Sequence, residues 1–515
     1  MTKVQLTSFA MAYLALSAAA YGQAAALRTS YAIDVSRHEG HTLHVSVAFP
    51  ADHGERIVQL PTWYALYQIR DFAQYVLNLK AFSQDGSPLP MHSVDKTTWA
   101  VSGPAKAHRI EYDVRCDLPG AYGLEISADQ VLLNPALALM YSPASREVPI
   151  TVAFSGLPPH WSVTTALPET GESFAARNYQ DLAETPFWIG TFDRATFSTG
   201  GVSVNVVIAA KHSFNKVELL RRDALIVKAE TEWMGGSPLR SYLFLYSFPD
   251  AGDVEGMEHP TSTAIQIPAK SIEEGVGAAD SVSAHELFHV WNVMRIRPCS
   301  MEPIDFVHEQ YFETLWFSEG LTSTVTRIIL LRSGLLSLND YIDRVDGLVT
   351  SLQNTPARAS QSLEDASRQV WMSADTAYNA PDRSISYYSK GELVGVLLDL
   401  AIRQDTNGRK SLRDLFQLLD RTYGEDKRCF GGDPALQKAA EQVTGTSLAS
   451  FFSDYVSGTT ELNYSRYLNW VGLQIVASPL TVAQPTHQEY HLVDVAKVSS
   501  TQMRHRQEWL AGQRQ

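Results

Sequence analysis

The sequence predicts a multidomain α+β protein, with an antiparallel β domain over residues 27–200 followed by a mainly helical domain over 201–475. Three observations lead there. Apolar and polar residues alternate through the first two hundred positions, apolar residues recur every three or four positions after about Val282, and the composition suits a buried core. A chain of 515 residues, 45% hydrophobic and 19% charged, has apolar surface enough for more than one such core.

Taken in order, the first segment carries one cation at Lys3, an apolar run from Phe9 to Leu16 and the small residues Ala18-Ala19-Ala20, which together read as an export signal over 1–26. The expected compartment is therefore secreted, most simply periplasmic. Strands follow. Tyr31, Ile33 and Val35, then Leu43, Val45, Val47 and Phe49, alternate on either side of a turn at Glu39-Gly40. Breaks at Gly86 to Pro90, Gly103-Pro104 and Pro158-Pro159 suit a sandwich of antiparallel strands. Val202 to Ala210 reads as a strand leading into the second domain.

Helical spacing then takes over in His285 to Met294, Leu315 to Leu331, Leu393 to Ile402 and Leu448 to Val456. Ser337 to Asp340 and Ser411 to Asp414 have the Ser-x-x-Asp form of helix caps, and Gly334 marks a helix end. Past Leu473 the pattern weakens, so 476–515 reads as a tail whose last part is a short helix or disordered. No stretch after the export signal is long and apolar enough to span a bilayer. Cys116, Cys299 and Cys429 are too widely spaced for a disulfide framework or a metal knuckle. Three separate thiols is the expectation, with one bridged pair the alternative. A net charge of -14 without a basic, aromatic-interleaved run argues against a nucleic-acid partner.

The chemistry concentrates at His285-Glu286-Leu287-Phe288-His289, an H-E-x-x-H sequence in a helical period. Its imidazoles lie one turn apart on one face and can share an ion, while Glu286 lies beside that ion as a general base. By itself the pattern also occurs in helices whose histidines are merely solvated or buried. Glu319, about thirty residues on within Leu315-Trp316-Phe317-Ser318-Glu319-Gly320, supplies a third donor from a second apolar helix. A carboxylate among so many apolar neighbours needs a cation. Two histidines and one glutamate leave an open coordination position, the mark of a catalytic zinc.

With their flanks, these residues resemble the glycyl aminopeptidase family of gluzincin zinc metallopeptidases. The family's H-E-F-F-H-x-W-N-V-K-R-I-R-P stands here as His285 to Pro298, with departures at Leu287 and Met294, and its L-W-x-x-E-G-x-T-S spans Leu315 to Ser323. Gly256-Met257-Glu258-His259 with Ser262-Thr263 is similar to the family's G-x-E-H-x-x-S-T, and Ser386 to Leu393 to its S-Y-Y-x-K-G-x-L. Leu60-Pro61-Thr62-Trp63 and Ile69-Arg70-Asp71-Phe72 also match, but the loop between them is altered to Tyr64-Ala65-Leu66-Tyr67.

The resemblance implies a thermolysin-like, mainly helical peptidase domain holding one zinc ion per chain through His285, His289 and Glu319. Catalysis falls to Glu286 and to Tyr388 as oxyanion donor, with Tyr387 as the alternative donor. Glu258 would bind the substrate's free α-amino group, with His259 and Tyr387 also on the substrate side. It implies an aminopeptidase releasing small first residues, glycine or alanine, from peptides with a free N-terminus. The alternatives are a zinc endopeptidase and a catalytically idle, peptide-binding or chaperone-like member. Many members carry a C-terminal PDZ domain, for which the 42 residues after Leu473 are too few.

Overall fold

The computed structural model describes residues 28–51, 55–63, 69–102, 109–127, 129–210, 212–372, 377–424, 428–479 and 487–511. The export signal and the altered loop at Tyr64 to Tyr67 lie outside them. The chain divides into two compact units, one of Met1–Thr191 with Phe306–His308, the other of Phe192–Asp305 with Glu309–Gln515.

The first unit is built of strands, and the alternation sets their faces. Tyr31 pairs with Val47 and Ile33 with Val45 between antiparallel Thr29–Asp34 and Thr42–Ala48, and all four side chains are buried. These strands sit in an eight-stranded sheet in which one pairing, Thr29–Asp34 with Ile150–Ser155, is parallel. A five-stranded and a three-stranded sheet complete the unit. Three buried phenols tie it together: Tyr31, Tyr112 and Tyr179 donate to the carbonyls of Met140, Ala138 and Leu139 at 2.7, 2.8 and 2.7 Å. Each buried hydroxyl thus satisfies a main-chain acceptor that would otherwise be stranded.

The second unit opens on a mixed sheet. Its strands are β1 (Asp193–Thr199), β2 (Val202–Ala210), β3 (Ser241–Phe248), β4 (Glu255–Glu258) and β5 (Ser262–Gln266), in the order β1-β2-β3-β5-β4. β2, β3 and β5 run parallel, and β4 is an antiparallel edge. Parallel neighbours need a crossover, which helix α1 (Lys216–Met234) supplies between β2 and β3. Helices follow: α2 (Asp280–Phe288), α3 (Thr322–Arg332), α4 (Leu338–Gln353), α5 (Tyr387–Asp405) and α6 (Leu412–Leu419) among them. Ser337 caps α4 through the Asp340 amide, and Ser411 with Asp414 forms a capping box on α6. One apolar core runs from the β2 and β3 side chains through Phe288 to Phe317 and Phe416.

Four expectations change in the structure. The helix expected over His285 to Met294 stops at Phe288, with His289 as its cap, and the chain turns through Val293 at φ 143°. The helix expected over Leu315 to Leu331 begins with a π turn, Trp316–Leu321, before α3. Cys299 and Cys429 form a disulfide, and only Cys116, buried, is a free thiol. The fold brings the two cysteines together because the Cys299 amide donates to Phe430 and the Phe430 amide to Arg297, both at 2.9 Å. Finally, the stretch read as a tail begins with a strand pair, Leu473–Ala477 antiparallel to Tyr490–Asp494, while its last part takes the helical one of its two expected forms, Ser500–Ala511, anchored by buried Trp509. A helix with so few buried side chains has little apolar periodicity to read.

Candidate active site

Helix α2 and the π turn supply the donors. His285 and His289 share a face of α2 at the four-residue spacing that places their rings 4.7 Å apart. Glu319 Oε2 lies 3.1 Å from His285 Nε2 and 3.5 Å from His289 Nε2, and the donor atoms of the three all fall within 4.8 Å of one another. The His289 and Glu319 side chains are 1% and 4% exposed, so the group is enclosed rather than a surface ion pair.

The turn that ends α2 orients the second imidazole. Nδ1 of His289 lies 2.7 Å from the Asn292 carbonyl, which only accepts, so Nδ1 carries a proton and Nε2 is the nitrogen turned toward Glu319. Fully buried Asn292 donates its amide to the carbonyls of Phe317 and Ser318 at 2.9 and 3.3 Å, and to the Thr322 hydroxyl at 3.1 Å. One side chain therefore ties the end of the histidine helix to the turn carrying Glu319. Ser323 Oγ lies 3.5 Å from His285 Nδ1.

Glu286 is 6% exposed, and its Oε2 has no hydrogen-bond partner. Burial drives its pKa well above the ordinary carboxyl value. Glu258, at the end of edge strand β4, joins Glu286 and His289 in a second group whose donor atoms lie within 4.8 Å of one another. Burial, with Glu319 adding and His289 opposing, pushes the Glu258 carboxyl up to about 7. Burial works against a charged His289, but Glu319 and Glu258 outweigh it and raise the imidazole to about 10. Three carboxylates around two imidazoles leave this enclosed group short of positive charge, and Glu286 has a bare oxygen. That is the surrounding a divalent cation fits, and the two imidazole nitrogens with the Glu319 oxygen are a donor set suited to zinc.

Tyr387 and Tyr388 open α5. The Tyr388 ring lies 6.1 Å from that of His285 and is 41% exposed, and the half-buried Tyr387 ring packs 4.9 Å from it. Burial, reinforced by Glu319 and Glu258, holds the Tyr387 phenol above its ordinary value. His259 is buried in the turn between β4 and β5, where its amide donates to the Ser262 carbonyl at 3.0 Å.

Three glycines make these approaches sterically allowed. A Cβ at Gly256 would collide with the Glu286 carboxylate, so β4 runs directly over that side chain. A Cβ at Gly391 would stand 2.8 Å from the Trp316 carbonyl, and one at Gly320 would meet the Gly391 backbone. The π turn and the first turn of α5 thus cross backbone to backbone, which brings the two tyrosines to Glu319. Asn292, Ser323 and this glycine crossing carry no role in the sequence reading. Their only signal is that Asn292, Ser323, Gly320 and Gly391 fall inside the recognised segments.

A model of the M61 glycyl aminopeptidase family matches residues 279–394, and a model of the peptidase M61 N-terminal domain matches residues 30–191. A search of curated protein sequences returns no match. Among solved structures, an aminopeptidase N family protein from Idiomarina loihiensis superposes with a TM-score of 0.83 at 24% identity, over 88% of this chain and 80% of that one. An M1 zinc metallopeptidase from Deinococcus radiodurans superposes with a TM-score of 0.51 at 13% identity, over 84% of this chain and 94% of that one. A mutant of that enzyme bound to a Tyr-Ser-Ala substrate gives a TM-score of 0.51 at 14% identity, over 84% and 94%. These likenesses show the fold, a β domain followed by a mainly helical domain.

Proposed function

The chain belongs to the M61 glycyl aminopeptidase family and is a metallopeptidase, and from that premise we propose a zinc-dependent aminopeptidase that releases small first residues, glycine or alanine, from peptides. One zinc ion per chain would be held by His285, His289 and Glu319. The observation that carries the reading is the pair of carboxylates, Glu286 and Glu258, packed against His289 beside that donor set.

When bound, zinc supplies a Lewis acid that acidifies water and polarises the scissile carbonyl. Glu286 accepts the proton of the attacking water on its free Oε2 and returns it to the leaving amine. Burial raises the pKa of this carboxyl, and a dication held beside it would oppose that rise. Tyr388, exposed beside His285, donates its hydroxyl proton to the developing oxyanion. Glu258 pairs with the substrate's α-ammonium, while Tyr387 and His259 line the same side. Because Glu258 is the last residue of edge strand β4, a peptide laid along that edge starts at its carboxylate, and only a first residue reaches the zinc.

The Cys299–Cys429 disulfide supports export to an oxidising compartment, the periplasm in this proposal. No helix among the described residues is long and apolar enough to cross a membrane.

The deciding experiment compares glycyl- and alanyl-p-nitroanilide with their N-acetylated forms, using zinc-loaded wild type and Glu286→Gln. Wild type is expected to cleave only the free-amine substrates, and the variant to lose roughly 10²- to 10⁴-fold in kcat. Equal cleavage of the acetylated substrates would make the enzyme an endopeptidase, and no turnover of either would make it an idle, peptide-binding family member.

A further inference from the structure

We propose a second ligand site, for a small phosphate-type dianion, in a cationic cavity of about 510 Å³ among α1, α3, α5 and α6. That volume suits a small ligand. Lys228, Arg332, Arg403, Arg409 and Arg413 line it, against the carboxylates of Glu232 and Asp414. Two of these cations are already answered: Lys228 Nζ lies 2.7 Å from Glu232, and Arg403 Nε lies 2.8 Å from buried Asp399. Asp414 is taken up by Lys410 at 2.9 Å.

Three guanidinium groups remain, and their hydrogen bonds go to main-chain carbonyls. Arg332 donates to Trp509 at 3.0 Å and Arg409 to Thr406 at 3.0 Å. Arg413 donates to Trp233 at 2.7 Å and to Glu232 at 3.1 Å. A neutral carbonyl satisfies a donor but leaves the charge, and among the described residues none of the three has a carboxylate partner. Arg332 Nε is in addition buried without any hydrogen-bond partner. Burial, then Arg403 and Arg413, push the Arg332 pKa down to about 10 although Asp399 and Tyr341 oppose them.

Guanidinium forks pair two donors with two oxygens of one anion, and several forks around one pocket match the oxygens of a phosphate. A single chloride would answer one charge of three. In a chain of net charge -14, this concentration of unpaired cations is the local exception. The cavity is separate from the metal site, since α5 presents Arg403 in its last turn and Tyr387 in its first, about 24 Å apart along the helix.

The test is calorimetric titration of the zinc-loaded protein with inorganic phosphate and, separately, with glycerol phosphate, at fixed ionic strength. One saturable site per chain is expected, with a rise in Tm that chloride at the same ionic strength does not reproduce. Arg332→Gln and Arg409→Gln are each expected to weaken binding at least about tenfold, with Arg332→Lys in between. Arg409 is exposed, so its variant decides the matter even if Arg332→Gln fails to fold. Tighter binding of the ester would identify an organic phosphate as the ligand, and equal affinities free phosphate. The proposal fails if no saturable binding is seen, or if affinity survives both arginine variants. It fails equally if Glu319→Gln, not they, removes binding, which would put phosphate on the metal.

Discussion

A carboxylate oxygen of Glu258 lies within 4.8 Å of donor atoms of Glu286 and His289, and the proposed function gives it the ammonium of the substrate's first residue as partner. Glu258→Gln keeps the shape and removes the charge. KM for glycyl-p-nitroanilide is expected to rise about tenfold or more, and preference over the acetylated substrate to shrink. Unchanged discrimination would show that Glu258 does not read the amine. Lys390, in α5, illustrates a structural charge. It is 2% exposed, and burial pushes its pKa from 10.5 down to about 8 with only Glu461 opposing. Between those values the unfolded chain holds a proton that the folded chain has lost, so this group makes stability rise with pH from about 8 to 10.5. Below about 8 the folded protein carries the full cost of the buried ammonium. Lys390→Met should therefore raise stability at pH 7 by up to about 3 kcal/mol and flatten that rise, as followed by urea unfolding at several pH values.

At the scale of elements, the site depends on two backbones that cross without side chains between them. The π turn carries Glu319, α5 carries the tyrosines, and Gly320 and Gly391 are where they touch. A methyl group there must push them apart. Gly391→Ala is expected to cost about 1–3 kcal/mol and to lower kcat more than it raises KM, because the tyrosines move relative to the zinc ligands. A stable variant with wild-type kcat would show that the crossing tolerates expansion. H-E-x-x-H spacing makes the helix legible up to Phe288. Its end is not legible, because it rests on Asn292 bonding to Phe317, Ser318 and Thr322 across some thirty positions of sequence.

For the molecule as a whole, the Cys299–Cys429 bond joins two residues of the second unit across 130 positions of sequence. Loops of that length lose much entropy on closure in the unfolded chain. The Cys299→Ser, Cys429→Ser double variant should lose about 2–5 kcal/mol, and reductant should lower the wild-type Tm but not the variant's. Buried Cys116, whose thiol burial raises, is expected to stay unreactive in the folded protein.

The β-then-helical order and the grouping of His285, Glu286 and His289 were legible from sequence because each rests on local period or spacing, which side-chain geometry within one element imposes, whereas Glu319 was legible only as a carboxylate set in an apolar segment. The pairing of Cys299 with Cys429 and the packing of the helix Ser500–Ala511 were not. The disulfide depends on a bridge between Pro298 and Phe430, and the last helix on Trp509 packing 5.9 Å from Tyr341. Tyr387 and Tyr388 are adjacent in sequence, and only the fold sets their different exposure, Tyr388 being exposed near the His285 ring. The cationic cavity was equally invisible, since its arginines come from α3, α5, α6 and a loop whose charges only folding brings together.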